Sequence, residues 1–184
     1  PLIAHIPGIT RPGQRIDGFV QPMDLMPTLL DMANVSPTGT AHGSSFLPLV
    51  RGEVTGLRDC VVSSHTIIGP AAGRPSSIRT RDWTLILGAR QAEPASRRPN
   101  AVLQSKSDNI FTEAIDSLRR REVASEAALL SQLYDNNNDP GHTQNMISEN
   151  IDVAHKLRDR YVQFLESVGT PDEYIAPRRD LSLG

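Results

Sequence analysis

Residues 19–50, FVQPMDLMPTLLDMANVSPTGTAHGSSFLPLV, decide the fold. Phe19 and Val20 close an extended run. Asp24 stands where the amide groups freed at a helix start need an acceptor. Pro27 falls in the first turn, where N–H groups have no partner inside the helix. Leu25, Met26, Leu29, Leu30 and Ala33 recur at helical spacing on one face, and Asn34 precedes Ser36 and Pro37 as a terminator. A helix of two or three turns is not stable alone. The pattern therefore predicts a helix over 24–34 that docks its apolar face on a sheet. Beyond it, 36–41 is a small, polar surface connection, and 44–50 carries Phe46, Leu47 and Leu49 into the core before 51–58 loops out.

Upstream, PLIAHI at 1–6 is a continuous apolar run, the pattern of a strand covered on both faces in a parallel sheet. Pro7-Gly8 and Arg11-Pro12-Gly13 are turn signals leading into 16–20. Downstream the pattern becomes antiparallel β, with strands at 60–64, 76–79 and 83–87 and a turn at Thr80-Arg81-Asp82. A Gly/Pro-rich linker, GPAAGRP, covers 69–75. An insert of about 92–132 follows, helical from Asp108, with Ile110, Phe111, Ala114, Ile115 and Leu118 on one face and a continuation over 124–133. Residues 134–145 form a loop around Asn136-Asn137-Asn138-Asp139-Pro140-Gly141. Val153, Leu157, Tyr161, Phe164, Leu165 and Val168 make one stripe, predicting a helix over about 152–168 that crosses the small sheet and ends at Gly169 and Pro171. The tail from Asp172 is either loose or docked elsewhere. The fold class is α+β, divided into 1–58 and 59–184.

The chain has 184 residues and a net charge of -2, which gives no electrostatic pull towards nucleic acid or anionic membranes. No run approaches a membrane span in length. Cys60 is the single cysteine, so no internal disulfide framework exists, a usage compatible with the cytoplasm. The chain opens at Pro1, directly on an apolar run, and the expectation is of a piece of something longer.

Candidate chemistry is sparse. Asp24 and Asp31 are two helical turns apart, which favours capping and solvation over a carboxylate pair. His5 sits in an apolar run as a core or interface histidine, His42 lies in a loop, and His142 and His155 lack metal-type spacing to each other or to Cys60. Arg119-Arg120-Arg121 reads as a solvated face. Cys60, before VVSS, reads as a small buried hydrophobe. His65 closes a strand and Arg74 lies in the following loop, so these two are the candidates for binding an anionic substrate group at a cleft rim.

These blocks together resemble the C-terminal part of sulfatases, in the alkaline-phosphatase superfamily. There a strand leads into D-x-x-P-T-L-L-D and then G-x-S-L-x-P-L-L-x-G; here Asp24, Pro27, Thr28, Leu29, Leu30, Asp31, Gly43, Ser45, Pro48 and Gly52 match, and Phe46 replaces a leucine. PLIAHIPG resembles the preceding strand, SSIRTRDWTLILG the I-R-T-x-x-x-K-L-I strand pair, and QLYDNNNDPGHTQNM the E-L-Y-D-L-x-x-D-P-x-E-x-x-N-L segment. Trp83-Thr84, His142 and the insert depart from the family pattern.

The resemblance implies the C-terminal end of an α/β sulfatase core, with an edge of its main sheet, joined to a small antiparallel subdomain. It implies sulfuric ester hydrolysis by the intact enzyme, with calcium and a formylglycine made from the first residue of C/S-x-P-x-R. The family's nucleophile, calcium ligands and catalytic lysines and histidines lie upstream of the part that Pro1 matches, so none is carried over, and this segment is expected to be inactive alone. The implied partners are a missing N-terminal sulfatase domain, with a sulfate ester substrate, or a second copy of the chain. Two rivals stay open: a phosphonate or phosphate ester hydrolase of the same superfamily, and a non-catalytic module that self-associates through 1–4 and the exposed helix face.

Overall fold

The computed structural model describes residues 2–39, 42–64, 75–88 and 130–183. The chain divides into two compact units, 1–61 with 79–81, and 62–78 with 82–184.

In the first unit, residues 2–6 hold no regular secondary structure, and a turn follows at Pro7-Gly8, where Ile9 and Thr10 donate to the Ile6 carbonyl. Neither 2–6 nor 16–20 forms a strand, contrary to the sequence expectation. A strand needs a ladder, and no partner for either segment lies among the described residues. A 3₁₀ turn, Pro22–Asp24, runs into helix α1, Leu25–Met32. Asn34 ends the helix as anticipated, adopting a left-handed φ of 54°. A second short helix, α2, Leu47–Arg51, follows the 36–46 connection. Gly52 closes it at φ 77°, a conformation that favours glycine. Phe46, Leu47 and Leu49 are buried, as the apolar pattern requires.

The expected burial of α1 is reversed. Leu25, Met26, Leu29 and Met32 are exposed, Leu29 by 62%, whereas the polar Asp24 and Thr28 are the residues buried. The amphipathic pattern identified the helix correctly, but of its apolar stripe only Leu30 is half-buried, and the rest is exposed among the described residues.

The sheet comprises β1 (Cys60–Ser64), β2 (Ser76–Thr80), β3 (Trp83–Leu87) and β4 (Gln132–Asp135), adjacent in that order. The two residues between β2 and β3 permit only an antiparallel hairpin. β4 runs antiparallel to β3, with Trp83 opposite Asp135 and Leu85 opposite Leu133. This strand corrects two expectations, the helix continuing to Leu133 and the loop beginning at Tyr134. Four residues are too few to display a period, and the free edge of β3 decides their conformation. The remaining expected helix, from Asp108 to about 129, lies outside the described residues.

Helix α3, Ile151–Ser167, packs against β3. Ala154, Leu157 and Tyr161 are its buried residues, while Val168 lies beyond its end and is exposed. The tail is docked: Asp172–Ile175 forms helix α4, Ile175 and Leu181 are buried, and Ser131 donates its amide to the Ser182 carbonyl at 2.7 Å.

The Asn-rich turn after β4 is held by its own side chains. Asp135 accepts from the amides of Asn137 and Asn138, and Asp139 from those of Thr143 and Gln144. The Asn145 side-chain oxygen accepts the Leu133 amide at 2.9 Å and the Ile147 amide at 3.2 Å. Asn145→Ala leaves both donors without that acceptor, and a loss of about 1–2 kcal/mol is expected by urea unfolding.

Candidate functional site

The motif residues of 19–50 converge on one carboxylate. No part of Asp24 reaches solvent. Its Oδ2 accepts the Gln21 amide at 2.7 Å, its Oδ1 accepts the Ser44 amide at 2.9 Å, and Arg58 donates to both oxygens at 2.6 Å. The expected N-cap is therefore corrected: Asp24 precedes α1, but its side chain reaches back to Gln21 and across to Ser44 and Arg58, capping no α1 amide. Burial acts to raise the Asp24 pKa. The hydrogen bonds from Arg58, Ser44 and Gln21, together with the guanidinium charge, outweigh it and hold the carboxyl below its ordinary 3.8. A group so saturated and so firmly ionised fixes geometry and is unsuited to passing protons at neutral pH.

The neighbouring motif positions act as further fasteners. Thr28 Oγ1 donates to the Asp24 carbonyl at 2.6 Å and accepts the Phe46 amide at 3.0 Å, and Ser45 Oγ donates to Asp31 Oδ2 at 2.6 Å. Residues 44, 45 and 46 are thus each tied to the 24–31 stretch. Thr28→Val keeps the shape but leaves the Phe46 amide without its acceptor; about 1–3 kcal/mol should be lost in urea unfolding, with Thr28→Ser retaining most of it.

Beside this junction the first unit carries an open groove of about 780 Å³, lined among others by Leu2, Gln14, Ile16, Phe19, Leu25 and Leu49. Leu49 is buried at its floor, whereas Leu2, Ile16 and Leu25 are exposed.

The candidates from sequence do not assemble into a catalytic centre. His65 and Arg74 both lie outside the described residues. His5 is exposed, not in a core, and His42 is exposed. Cys60 is half-buried in β1 and forms no disulfide. His142 stacks on Tyr134 with ring centroids 4.7 Å apart, and its Nε2 lies 3.0 Å from Asn136 Oδ1. His155 is half-buried on α3.

Arg58 is the ion partner of Asp24 that the sequence did not reveal. It lies 34 positions from Asp24, and no local spacing connects the two. Among the described residues, no group of three or more His, Cys, Asp or Glu side chains comes together to hold a metal ion. Nor does the sequence after Cys60, VVSS, fit the formylglycine pattern. These residues do not fit either group, and no reaction step is assigned to them. No helix of the described residues is long and apolar enough to cross a membrane.

A family model described as N-sulphoglucosamine sulphohydrolase, C-terminal, matches residues 1–93. Among solved structures, the chain is similar to a Bacteroides fragilis protein described as the sulfatase yidJ. The TM-score is 0.59 and the identity 18%, over 95% of this chain and 30% of that one. It is also similar to a Bacteroides thetaiotaomicron protein labelled BT33494S-sulf, from work on glycosaminoglycan metabolism. There the TM-score is 0.51 and the identity 19%, over 85% of this chain and 29% of that one. At these identities the likeness concerns the fold. The chain spans under a third of the length of either structure. No curated protein matches it in sequence.

Proposed function

Because the chain belongs to the N-sulphoglucosamine sulphohydrolase C-terminal family, we propose that it forms part of a hydrolase that removes sulfuryl groups from sulfated glucosamine. Residues 1–58 would complete the end of the α/β core and 59–184 a small subdomain beside it. The uncovered groove and α1 stripe carry this reading: a surface so apolar fits docking on the N-terminal portion of the enzyme. That portion would supply the nucleophile and any calcium site. His65 and Arg74 are kept as candidates for holding the substrate's anionic group.

The test compares the intact enzyme with the 184-residue segment on N-sulfated glucosamine, O-sulfated glucosamine and an aryl phosphate. The intact enzyme should release sulfate from a glucosamine, and the segment alone should turn over none. Sulfatase turnover by the segment that changing His65 or Cys60 abolishes would overturn the reading, and a preference for the phosphate would move it to the sister hydrolases. In the intact enzyme His65→Ala and Arg74→Ala should each raise KM about tenfold, the loss of one charge-assisted hydrogen bond. An unchanged KM removes them from the site.

A further inference from the structure

Three stretches of chain meet at one buried hydroxyl. β4 is the outermost strand of the sheet, and its ladder with β3 ends with Ile86 opposite Gln132, so Ser131 lies one step beyond the last pair. Ser131 is 3% exposed. Its Oγ accepts the Gly88 amide at 3.3 Å and the Ser182 amide at 3.1 Å, while its own amide donates to the Ser182 carbonyl at 2.7 Å. The chain leaves the sheet at Gly88 and is back at Ser131, 43 positions later, and Ser182 belongs to the tail. A serine oxygen has two lone pairs, and here both are filled by amides that are themselves half-buried. A χ1 step to another staggered well carries the oxygen away from both donors at once. Leu133, the next residue with its main chain turned outward, is sealed from within its own turn: its amide goes to Asn145 Oδ1, and its carbonyl accepts the Met146 amide. The edge of β4 at Leu133 therefore closes without the tail, whereas at Ser131 the tail closes it.

The tail reaches this point under two kinds of restraint. Ile175 and Leu181 are buried. Arg179 is held by charge, paired with Asp172 and with Glu166 on α3, while Arg158 of α3 donates to the Arg179 carbonyl. The Arg179, Asp172 and Glu166 side chains are about half exposed or more, so dissolved salt screens their attraction. We propose that residues 179–183 form a salt-sensitive strap, with Ser131 as its clasp, which couples docking of the tail to closure of the sheet where β3 ends and β4 begins. Undocking the tail withdraws the Ser182 amide and carbonyl, leaves the Ser131 hydroxyl free to turn, and so releases the Gly88 amide. Loss of the Gly88 contact loosens the tail by the same factor, because coupling between two sites is reciprocal. The strap is independent of the proposed hydrolase activity.

The experiment is residue-resolved amide hydrogen exchange on the intact protein, with the Leu133 amide as internal reference. In Ser131→Ala, the Gly88 and Ser182 amides should exchange at least about tenfold faster, while Leu133 stays within about twofold of wild type. Two changes confined to the tail test the coupling: Leu181→Ala, which loosens its apolar anchor, and Arg179→Ala, a surface substitution that leaves the core intact. Raising NaCl from about 0.05 to about 1 M is the third perturbation, shortening the screening length to about 3 Å. Each should speed Gly88 by the same factor as Ser182 and spare Leu133. A tail change that speeds Ser182 and leaves Gly88 at its wild-type rate overturns the clasp. Equal acceleration of Leu133 in Arg179→Ala shows the whole unit opening together and overturns the strap as a separate device. Unchanged rates at Gly88 and Ser182, both in Arg179→Ala and at high salt, overturn the ionic fastening.

Discussion

Gly43→Ala is expected to lower stability by about 3–5 kcal/mol, more than any other glycine substitution in the first unit. A Cβ at this position would stand 2.0 Å from the Met23 carbonyl oxygen, 2.4 Å from its carbon and 2.8 Å from the Asp24 nitrogen. All three are main-chain atoms at the entry to α1, so no side chain can rotate away. The 42–46 segment must withdraw, and withdrawal breaks the Ser44 amide's bond to Asp24 and the Phe46 amide's bond to Thr28. Gly18→Ala is the internal control. Its Cβ would meet only the tip of the Leu49 side chain, at 2.8 and 2.9 Å, and a cost of about 1 kcal/mol is expected as that leucine shifts. At Gly52 the space is open and the cost is conformational, about 1–2 kcal/mol for a side chain at φ 77°. Urea unfolding of the three variants should rank them 43 first. A Gly43→Ala no worse than Gly18→Ala would show that the two segments do not touch through their backbones.

Removing either partner of the Asp24–Arg58 pair should cost about 3–5 kcal/mol, because each leaves the other's charge without its partner in a place with little or no water. Asp24→Ala should be the worse of the two, since it also strips the Gln21 and Ser44 amides of their acceptor. Replacing both at once, with Asp24→Leu and Arg58→Met, should recover part of the loss.

The pair also sets a pH dependence. Asp24 has a folded pKa below its unfolded value of about 3.8, so the native state binds its proton less readily than the unfolded chain does. Its contribution is therefore complete above that unfolded value and is lost as pH falls through the lower, folded one. Asp135 and Asp139 are held low by hydrogen bonds, led by the Asn138 side chain and the Gln144 amide respectively, and lose stability in the same direction. The measurement is thus a difference: between pH 5 and pH 2, wild type should lose more stability than Asp24→Asn. Parallel curves would show that the Asp24 carboxylate is not held by its partners.

The legible parts of the sequence were those with a local cause. Asn34 and the turn ending at Asp82 follow from the left-handed or hairpin geometry that their positions require. Trp83–Leu87 and Ile151–Ser167 are long enough to show their period. Ala154 was missed among the buried residues of α3 because a methyl group carries little hydropathy. The motif of residues 24–52 was readable as a family pattern but not as a mechanism, since its letters do not say that Asp24 holds the Ser44 amide, Thr28 the Phe46 amide and Asp31 the Ser45 hydroxyl.

By itself the sequence determined α1, the β2–β3 hairpin, the helix over Ile151–Ser167 and, through 1–93, the family. It did so because propensity, capping and hydrophobic period act over a few residues, within reach of a linear reading. Only the tertiary structure decided that Asp24 is buried against Arg58, that Gln132–Asp135 is a strand, and that most of the apolar face of α1 is uncovered. Each of those depends on which distant surface a residue meets, an ion partner 34 positions away, a free β3 edge, or the absence of a neighbour among the described residues.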